Sequence, residues 1–280
     1  MITVAAIQYC ASDDAAATLD HIYPLIADAA STARLIALPE AATYLAESRA
    51  HLQEIAEPAD NGFSQNRLAA IAREFDIWLL AGSLLLRCPR HGQLVNRSLL
   101  IAPDGSISAY YDKIHMFDAD VGDGQSYRES SIFMAGTTPV IAPVDSLKVG
   151  LSICYDVRFP HFYRQLATDG AQLIMVPAAF TATSGAAHWH VLLRARAIET
   201  GCFIVAPAQS GVHADGRHTY GHSLIVDPWG DIVADAGTGD AMISATIDPN
   251  AMIRARRSIP SLATNPPIGS TQQRQMTGLM

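Results

Sequence analysis

The stretch that decides the fold is residues 148–160, which reads KVGLSICYDVRFP. An apolar run stops at Cys154 and gives way to a charged segment that opens a helix. A strand leading directly into a helix is the unit from which α/β proteins are built. A cysteine at the exit of such a strand is rigidly held yet accessible, which is where α/β enzymes place a nucleophile. The stretch therefore predicts an α/β fold with Cys154 as a candidate nucleophile.

The same alternation of short apolar runs and amphipathic segments extends on both sides of this stretch. Strands are predicted at 3–9, 34–38, 77–86, 98–101 and 107–111, and helices at 13–31, 62–75, 159–168 and 188–200. Runs separated by helices indicate parallel strands, whereas runs joined by tight turns, such as the turn at 103–105, indicate antiparallel strands. Any sheet in this protein should therefore be mixed.

Two pairs of fragments nearly repeat within the chain. Residues 98–105 (SLLIAPDG) resemble 223–230 (SLIVDPWG), and residues 33–39 (ARLIALP) resemble 171–177 (AQLIMVP). The repeats suggest two similar halves, each with its own sheet, packed face to face with helices outside. Chance similarity between buried strands is the alternative.

Composition and charge restrict the class of protein. With 280 residues, of which 49% are hydrophobic, the chain can bury a large core. A net charge of −8 argues against a nucleic-acid partner, because such binding requires many phosphates to be neutralised by Lys and Arg. The basic cluster at 254–257 is too short to change this expectation.

Cysteine spacing and hydropathy predict a cytoplasmic protein without a membrane partner. The four cysteines lie far apart without a Cys-x-x-Cys pair, which indicates reduced thiols rather than disulfides or a zinc knuckle. No apolar stretch approaches the roughly 20 residues needed to cross a bilayer. No basic region precedes the first strand, so we expect no signal peptide.

We predict one domain over residues 1–258 and a C-terminal tail over residues 259–280. The tail is rich in Pro, Ser, Thr and Gln and lacks periodicity. It either extends freely or crosses onto a partner subunit at a dimer interface.

Two further polar residues occupy the same kind of position as Cys154. Glu40 and Lys113 each follow a predicted strand. Because strand ends converge at one edge of such sheets, the three residues could meet in space. A carboxylate, an ammonium and a thiol together make a hydrolase site, in which glutamate moves the thiol proton and lysine stabilises the oxyanion.

Other kinds of site are less well supported by the sequence. The surroundings of known cysteine-protease nucleophiles are absent, as is Gly-x-Ser-x-Gly. The histidine pairs His188/His190 and His218/His222 could share a metal ion, but the second lacks the glutamate of His-Glu-x-x-His and spans a glycine. We therefore predict neither a metal nor another cofactor. A catalytically silent scaffold is the alternative outside enzymes.

Three blocks resemble, in order, the signature blocks of the nitrilase superfamily of carbon-nitrogen hydrolases: LPE at 38–40, YDKIH at 111–115 and GLSICYDVRFP at 150–160. The resemblance runs from residue 2 to about residue 258. It implies a four-layer α-β-β-α sandwich with two mixed sheets. It also implies a homodimer or higher homo-oligomer that acts on a small-molecule amide.

Carried onto this sequence, the resemblance implies a triad. Cys154 is the nucleophile, Glu40 the general base, and Lys113 the electrostatic stabiliser or proton donor. The backbone N–H of Tyr155 is the second oxyanion donor. Glu129 resembles a second glutamate that orients lysine and substrate, the alternative being a solvated loop carboxylate.

Within the superfamily the chain resembles the branch that holds deaminated glutathione amidase and omega-amidase. The resemblance rests on AHW at 187–189, LRARAIET at 193–200, YGHS at 220–223 and VDPWG at 226–230. His190 departs from it, since the branch usually has glutamate there. That departure leaves the fine choice of substrate open.

The substrates of this branch are amides of α-keto diacids, so we expect a cation that binds the keto-acid carboxylate. Arg158 is our candidate, because guanidinium binds carboxylate through two parallel hydrogen bonds; an ion pair that caps the following helix is the alternative. Phe180 and Thr183 either line the pocket or are ordinary loop residues. The expected substrate is deaminated glutathione, then 2-oxoglutaramate, with other aliphatic amides or nitriles as further alternatives.

Overall fold

The computed structural model describes residues 1–88 and 92–264. These residues form the helices α1 Ala15–Ala30, α2 Arg49–Ile55, α3 Phe63–Glu74, α4 Pro160–Thr168, α5 Ala182–Thr200 and α6 Pro249–Ser258. None of the helices in this part of the chain is long and apolar enough to cross a membrane.

The strands of the first half are β1 Ile2–Gln8, β2 Leu35–Ala37, β3 Glu57–Pro58, β4 Trp78–Leu80, β5 Leu84–Arg87, β6 Leu94–Ile101, β7 Ile107–Asp112, β8 Asp118–Ala119 and β9 Tyr127–Arg128. Those of the second half are β10 Val140–Val144, β11 Leu147–Leu151, β12 Leu173–Met175, β13 Phe203–Ala206, β14 Ser210–Val212, β15 His218–Tyr220, β16 Leu224–Val226, β17 Ile232–Asp235 and β18 Ala241–Ile247.

Most strands belong to two large mixed sheets. The first has the order β18-β1-β2-β4-β6-β5-β3, with β7 beside β6, and the second has the order β10-β11-β12-β13-β16-β17. In the first sheet β1, β2 and β4 are parallel, whereas β18 and β6 are antiparallel to their neighbours. In the second sheet β11, β12 and β13 are parallel, and β10 and β16 are antiparallel. The predicted mixture of strand directions is confirmed.

Helices cover the outer face of each sheet. Leu19, Ile22 and Ile26 recur at helical spacing on α1 and are fully buried, together with α3 residues, against the first sheet. On the other side, Leu166 of α4 and Leu193 of α5 belong to the core of the second sheet.

The two sheets pack face to face through their inner side chains. A single buried cluster contains Val4 and Leu35 of the first sheet together with Val149 and Leu173 of the second. The molecule is therefore the expected four-layer α-β-β-α sandwich.

The near-repeats of the sequence occupy equivalent positions in the two sheets. Residues 33–39 contain β2 and residues 171–177 contain β12, and each of these strands lies between two parallel neighbours. Residues 98–105 include the end of β6 and residues 223–230 contain β16, each antiparallel to the last strand of the parallel block. This common arrangement favours two similar halves over chance.

One predicted strand is interrupted. The run 77–86 forms β4 and β5, separated by residues 81–83, although both strands pair with β6. Three residues lie between Leu80 and Leu84, whereas two lie between their partners Leu100 and Arg97, so one extra residue bulges out of the ladder. The run 77–86 was predicted as one strand because it is mostly apolar. Gly82 within it marks the position of the bulge.

The structure also differs from the prediction at two helices. The helix predicted at 188–200 begins earlier, at Ala182, where the Thr181 side chain accepts a hydrogen bond from the Ser184 N–H. It ends at Gly201, whose φ of 60° is the left-handed conformation typical of a helix C-terminus. Helix α2, which was not predicted, has Leu52 as its one buried residue and thus almost no periodic signal.

The predicted tail lies mostly outside the described residues, which end at 264. Its described beginning contacts α4, because the Arg164 guanidinium donates to the carbonyl oxygens of Ser261 and Leu262. The location of the tail at a dimer interface stays a prediction.

Candidate active site

Glu40 lies where the chain leaves β2 and passes close to the bulge between β4 and β5. The Leu38 N–H donates to Leu80 and the Ser83 N–H donates to Pro39. Gly82 has a φ of +58°, and a Cβ there would collide with the carbonyl oxygens of Leu38 and Pro39. Only glycine therefore allows this approach, which fixes the backbone before Glu40.

Gln209 holds the backbone of Glu40 from the other side. Its side-chain amide donates to the carbonyl oxygens of Glu40, at 3.1 Å, and Ala41, at 3.3 Å. Its carbonyl oxygen accepts from the Ala11 N–H at 2.9 Å. Gln209 is completely buried. Its hydrogen bonds to Glu40 and Ala41 connect the exit of β2 to the second half of the chain.

Lys113 directly follows β7. Its N–H donates to the Asn96 carbonyl at 3.0 Å, and its carbonyl accepts from the Gly136 N–H at 2.8 Å. Strand β7 is antiparallel to β6, which is antiparallel to β4, so β7 runs in the same direction as β2. Glu40 and Lys113 therefore emerge at the same edge of the first sheet.

Cys154 comes from the second sheet, just after β11. It opens a short 3-10 turn, Cys154–Arg158, with a φ of +46°, a conformation that is strained for a residue with a side chain. The Cys154 N–H donates to the Pro177 carbonyl at 2.8 Å, which fixes the turn against the exit of β12.

Asp156 connects the cysteine turn to the lysine segment. Its buried carboxylate accepts from the Ile153 N–H at 2.8 Å and the Tyr111 hydroxyl at 2.8 Å. It also accepts from the N–H of His115 and contacts Nδ1 of the same residue at 2.7 Å. Asp156 therefore positions two strand exits relative to each other, although sequence reasoning gave it no role.

Glu40, Lys113 and Glu129 form one buried cluster. The Lys113 Nζ lies 2.8 Å from Glu40 Oε1, 2.9 Å from Glu129 Oε1 and 2.8 Å from Glu129 Oε2. The Lys113 side chain is only 2% exposed. Glu129 Oε2 also accepts from the Phe117 N–H at 2.6 Å, and Glu40 Oε2 from the Ala179 N–H at 2.9 Å.

Asn96 is a further member that the sequence did not reveal. Its Nδ2 donates to Glu40 Oε1 at 3.0 Å and to Glu129 Oε1 at 3.2 Å. An amide can bridge two carboxylates without adding charge, so Asn96 holds both acids beside Lys113. Its position within β6, 17 residues before Lys113 in the sequence, carries no recognisable motif.

Burial and charge set the protonation states. Burial opposes ionisation of Glu40, but the charge of Lys113 and hydrogen bonds from Lys113, Cys154 and the Ala179 N–H lower its pKa. Burial also opposes protonation of Lys113, yet the charges of Glu129 and Glu40 raise its pKa. Burial, followed by the Glu40 charge, raises the pKa of Cys154. At rest the proton is therefore on sulfur, and Glu40 is an ionised base.

These residues share one cavity. Glu40, Lys113, Glu129 and Cys154 all line a space of about 310 Å³. Its walls include five aromatic side chains, namely Phe117, Tyr127, Phe133, Tyr155 and Phe180. The cavity is large enough for a small organic substrate, with a thiol, a base and an ammonium group on one wall.

A family model described as carbon-nitrogen hydrolase matches residues 3–257. The chain belongs to the carbon-nitrogen hydrolase family. It is 44% identical over 233 residues to a deaminated glutathione amidase of Synechocystis sp. strain PCC 6803, a match that covers 82% of this chain and 85% of the relative.

Solved structures show the same fold. The NitFhit protein of C. elegans superposes with a TM-score of 0.88 at 34% identity, covering 94% of this chain; our chain spans 65% of that protein. Nit3 of Saccharomyces cerevisiae, a member of branch 10 of the nitrilase superfamily, superposes with a TM-score of 0.83 at 29% identity, covering 92% of this chain and 94% of Nit3. The suspected resemblance to the nitrilase superfamily is thus confirmed.

Arg158 and Thr183 lie elsewhere in this carbon-nitrogen hydrolase. Neither is among the described residues that line the cavity, and Thr183 is exposed on α5. The Arg158 guanidinium contacts His188 Nδ1 at 3.3 Å and lies over the Phe180 ring, 5.2 Å from its centroid. Its guanidinium also lies 6.0 Å from the centroid of the Tyr155 ring, so Arg158 contacts two aromatic residues of the cavity wall from outside.

Three other arginines of this carbon-nitrogen hydrolase line the cavity: Arg49, Arg128 and Arg217. Arg217 forms an ion pair with Asp215 at 3.2 Å, and its guanidinium lies over the Tyr127 ring. Sequence reasoning missed all three arginines, because they come from α2, β9 and the β14–β15 hairpin. None of the three arginines belongs to the blocks that carry the family resemblance. Asp215 lines the same cavity and offsets the charge of Arg217, which leaves the positive charges of Arg49 and Arg128.

Proposed function

We propose that this carbon-nitrogen hydrolase is a thiol amidase that hydrolyses the amide of an α-keto diacid, preferably deaminated glutathione. The observation that carries the proposal is the convergence of Glu40, Lys113, Glu129 and Cys154 on one cavity, whose lining also includes three arginines. The name of the Synechocystis relative agrees with this substrate.

The first step forms a covalent bond between enzyme and substrate. Glu40 removes the Cys154 proton as sulfur attacks the amide carbon, so a C–S bond forms and the carbonyl electron pair moves onto oxygen. Lys113 and the Tyr155 N–H stabilise this oxyanion. Because Glu40 is ionised and the thiol protonated at rest, the base is ready when substrate arrives.

The second step breaks the amide bond. The oxyanion collapses, the C–N bond breaks, and Glu40 returns the proton to the departing amine. The thioester left on Cys154 is attacked by water, from which Glu40 takes a proton. Cleavage of the C–S bond then releases the α-keto acid and restores the thiol proton. Glu129 and Asn96 position Lys113 and Glu40 throughout.

The arginines favour deaminated glutathione over 2-oxoglutaramate. Deaminated glutathione carries a carboxylate at each end, whereas 2-oxoglutaramate carries one. Arg49, Arg128 and Arg217 line the cavity, and each guanidinium already has a partner within the protein. A guanidinium has five N–H donors, so each can still donate to a substrate carboxylate. Arg158, which we proposed for this role from the sequence, instead supports Phe180 and Tyr155 in the wall.

The test is a kcat/KM panel over deaminated glutathione, 2-oxoglutaramate, simple aliphatic amides and nitriles. We expect the first to have the highest kcat/KM. Arg217→Lys should raise KM for the dicarboxylate more than for a simple amide, because lysine lacks the planar fork. A simple amide at the top of the panel would contradict the substrate but not the amidase chemistry, whereas a nitrile at the top would contradict both.

We also propose a cytoplasmic homodimer. All four cysteines are free thiols, as suits a reducing compartment. Light scattering of the purified protein should give twice the mass of 30.0 kDa, and a monomer would contradict this proposal.

A further inference from the structure

Three side chains outside the cavity form a compact group: His190 of α5, His222 between β15 and β16, and Asp235 at the end of β17. One ligand atom of each lies within 4.8 Å of the others. None of the three lines the catalytic cavity among the described residues. The two histidines belong to different sequence pairs, so sequence spacing alone does not bring them together with Asp235.

We infer that His190, His222 and Asp235 bind a divalent transition-metal ion, with Zn²⁺ as the best-fitting example. Asp235 Oδ2 lies 3.0 Å from His190 Nε2 and 3.2 Å from His222 Nδ1. Two ligand atoms on a tetrahedral zinc ion stand about 3.3 Å apart, because each bond is about 2.0 Å long. Two of the three ligand pairs are therefore already at about the right spacing.

The donor set selects the kind of metal. Two imidazoles and one carboxylate suit Zn²⁺, Ni²⁺ or Cu²⁺, whereas Mg²⁺ and Ca²⁺ require mostly oxygen ligands. To bind the ion, each ring must carry its proton on the nitrogen that does not contact Asp235. The group then has one negative charge, which partly neutralises a divalent cation.

The ligands are held in place by their surroundings. Asp235 Oδ1 accepts from the Gly237 N–H at 2.9 Å, and the His222 N–H donates to the Gly237 carbonyl at 2.6 Å. The His222 carbonyl accepts from Trp189 Nε1 at 2.7 Å. Such supporting contacts orient metal ligands in known sites.

The group is also accessible to an ion and to water. The side chains of His190, His222 and Asp235 are 28%, 25% and 32% exposed. Three protein ligands leave the fourth tetrahedral position for water. The ion would join α5 to two loops of the second sheet. It would also fasten the His222 loop to Trp189, whose ring packs on Phe180 of the cavity wall with centroids 5.0 Å apart.

The experiment measures Zn²⁺ binding to the full chain by equilibrium dialysis and metal analysis. A Cys154→Ala background removes the catalytic thiol, which could itself bind zinc. We expect one zinc equivalent per chain, with binding weakened about tenfold or more by either His190→Gln or Asp235→Asn. His188→Gln is the matched control, because it lies on the same helix outside the group, and should bind zinc normally.

Two further measurements distinguish the loss of a metal ligand from the loss of folding in a variant. Zn²⁺ should raise the Tm of the background protein but not that of His190→Gln, whose metal-free Tm should be unchanged. X-ray absorption of the zinc-loaded protein should show two imidazole ligands and oxygen. Equal zinc affinity in the background protein and His190→Gln, or no zinc binding by the background protein, would overturn the inference. It is independent of the proposed amidase activity.

Discussion

The two sheets have the same core arrangement, yet their strand exits carry different chemistry. After β2 the chain reads Leu38-Pro39-Glu40, and after the equivalent β12 it reads Val176-Pro177-Ala178. Pro39 accepts a hydrogen bond from the Ser83 N–H, whereas Pro177 accepts one from the Cys154 N–H. The position after the proline thus carries Glu40 in one half and Ala178 in the other, while Pro177 supports the Cys154 turn.

The neighbouring strands show the same contrast. Strand β11 ends before Cys154, whereas the equivalent β1 ends at Gln8, whose side chain donates to Gly237 and Gly239 and accepts from Ser223. One exit bears the Cys154 thiol and the other a buried structural amide. The strand ends of the two sheets are therefore equivalent in backbone structure. They differ in the single side chains that they carry.

Removal of the nucleophile gives the largest expected effect. Cys154→Ala should abolish turnover because no other group can form the thioester, while Tm stays close to that of the wild type. Cys202→Ala, just before β13 at the opposite end of the strand from its exit, is the control and should keep full kcat. Turnover by Cys154→Ala at the wild-type rate would show that the strand end after β11 has no catalytic role, like the strand end after β1.

Glu40→Gln makes the exit of β2 chemically more like its unreactive counterpart after β12. The amide keeps the size of the side chain but cannot accept the thiol proton, so kcat should fall by about a hundredfold to ten-thousandfold. Steady-state kinetics with the preferred amide would measure this. Should kcat remain unchanged, Glu40 would be a structural residue like Ala178.

Asn96→Ala tests whether the acid cluster of the first sheet depends on its bridging amide. Loss of two hydrogen bonds to charged groups, each contributing about 1.5–3 kcal/mol, should misplace both glutamates. We expect kcat/KM to fall about tenfold to a hundredfold. Ser98→Ala is the control on the same strand, since the buried Ser98 hydroxyl has no partner among the described residues. Equal losses in both variants would assign Asn96 a packing role only.

The pH dependence of stability should give the smallest effect. The lowered pKa of Glu40 means that its ionised form stabilises the folded state. This contribution is fully present above the ordinary carboxyl pKa of about 4.3 and is lost as pH falls through the lowered value. The difference in unfolding free energy between wild type and Glu40→Gln should therefore be constant near neutrality and change only in acid. A change between pH values of about 6 and 8 would contradict the lowered pKa.

The sequence indicated the sandwich and the Glu-Lys-Cys set because both depend on short-range patterns. Apolar runs followed by one polar residue mark strand exits, and these exits converge once the sheets form. Asn96 and Asp156 could not be assigned in this way, because their roles depend on partners such as Glu129 and Tyr111 that lie far away in the chain. Arg49 and Arg217 likewise reach the cavity only through the packing of α2 and a hairpin.

The buried cluster holds two carboxylates and one ammonium group, so it has a net negative charge when Glu40 and Glu129 are ionised. A neutral amide meets no repulsion there. Its hydrolysis creates a new carboxylate beside the cluster, where low polarity strengthens the repulsion between like charges. In the proposed reaction this repulsion weakens the binding of the acid product and so speeds its release.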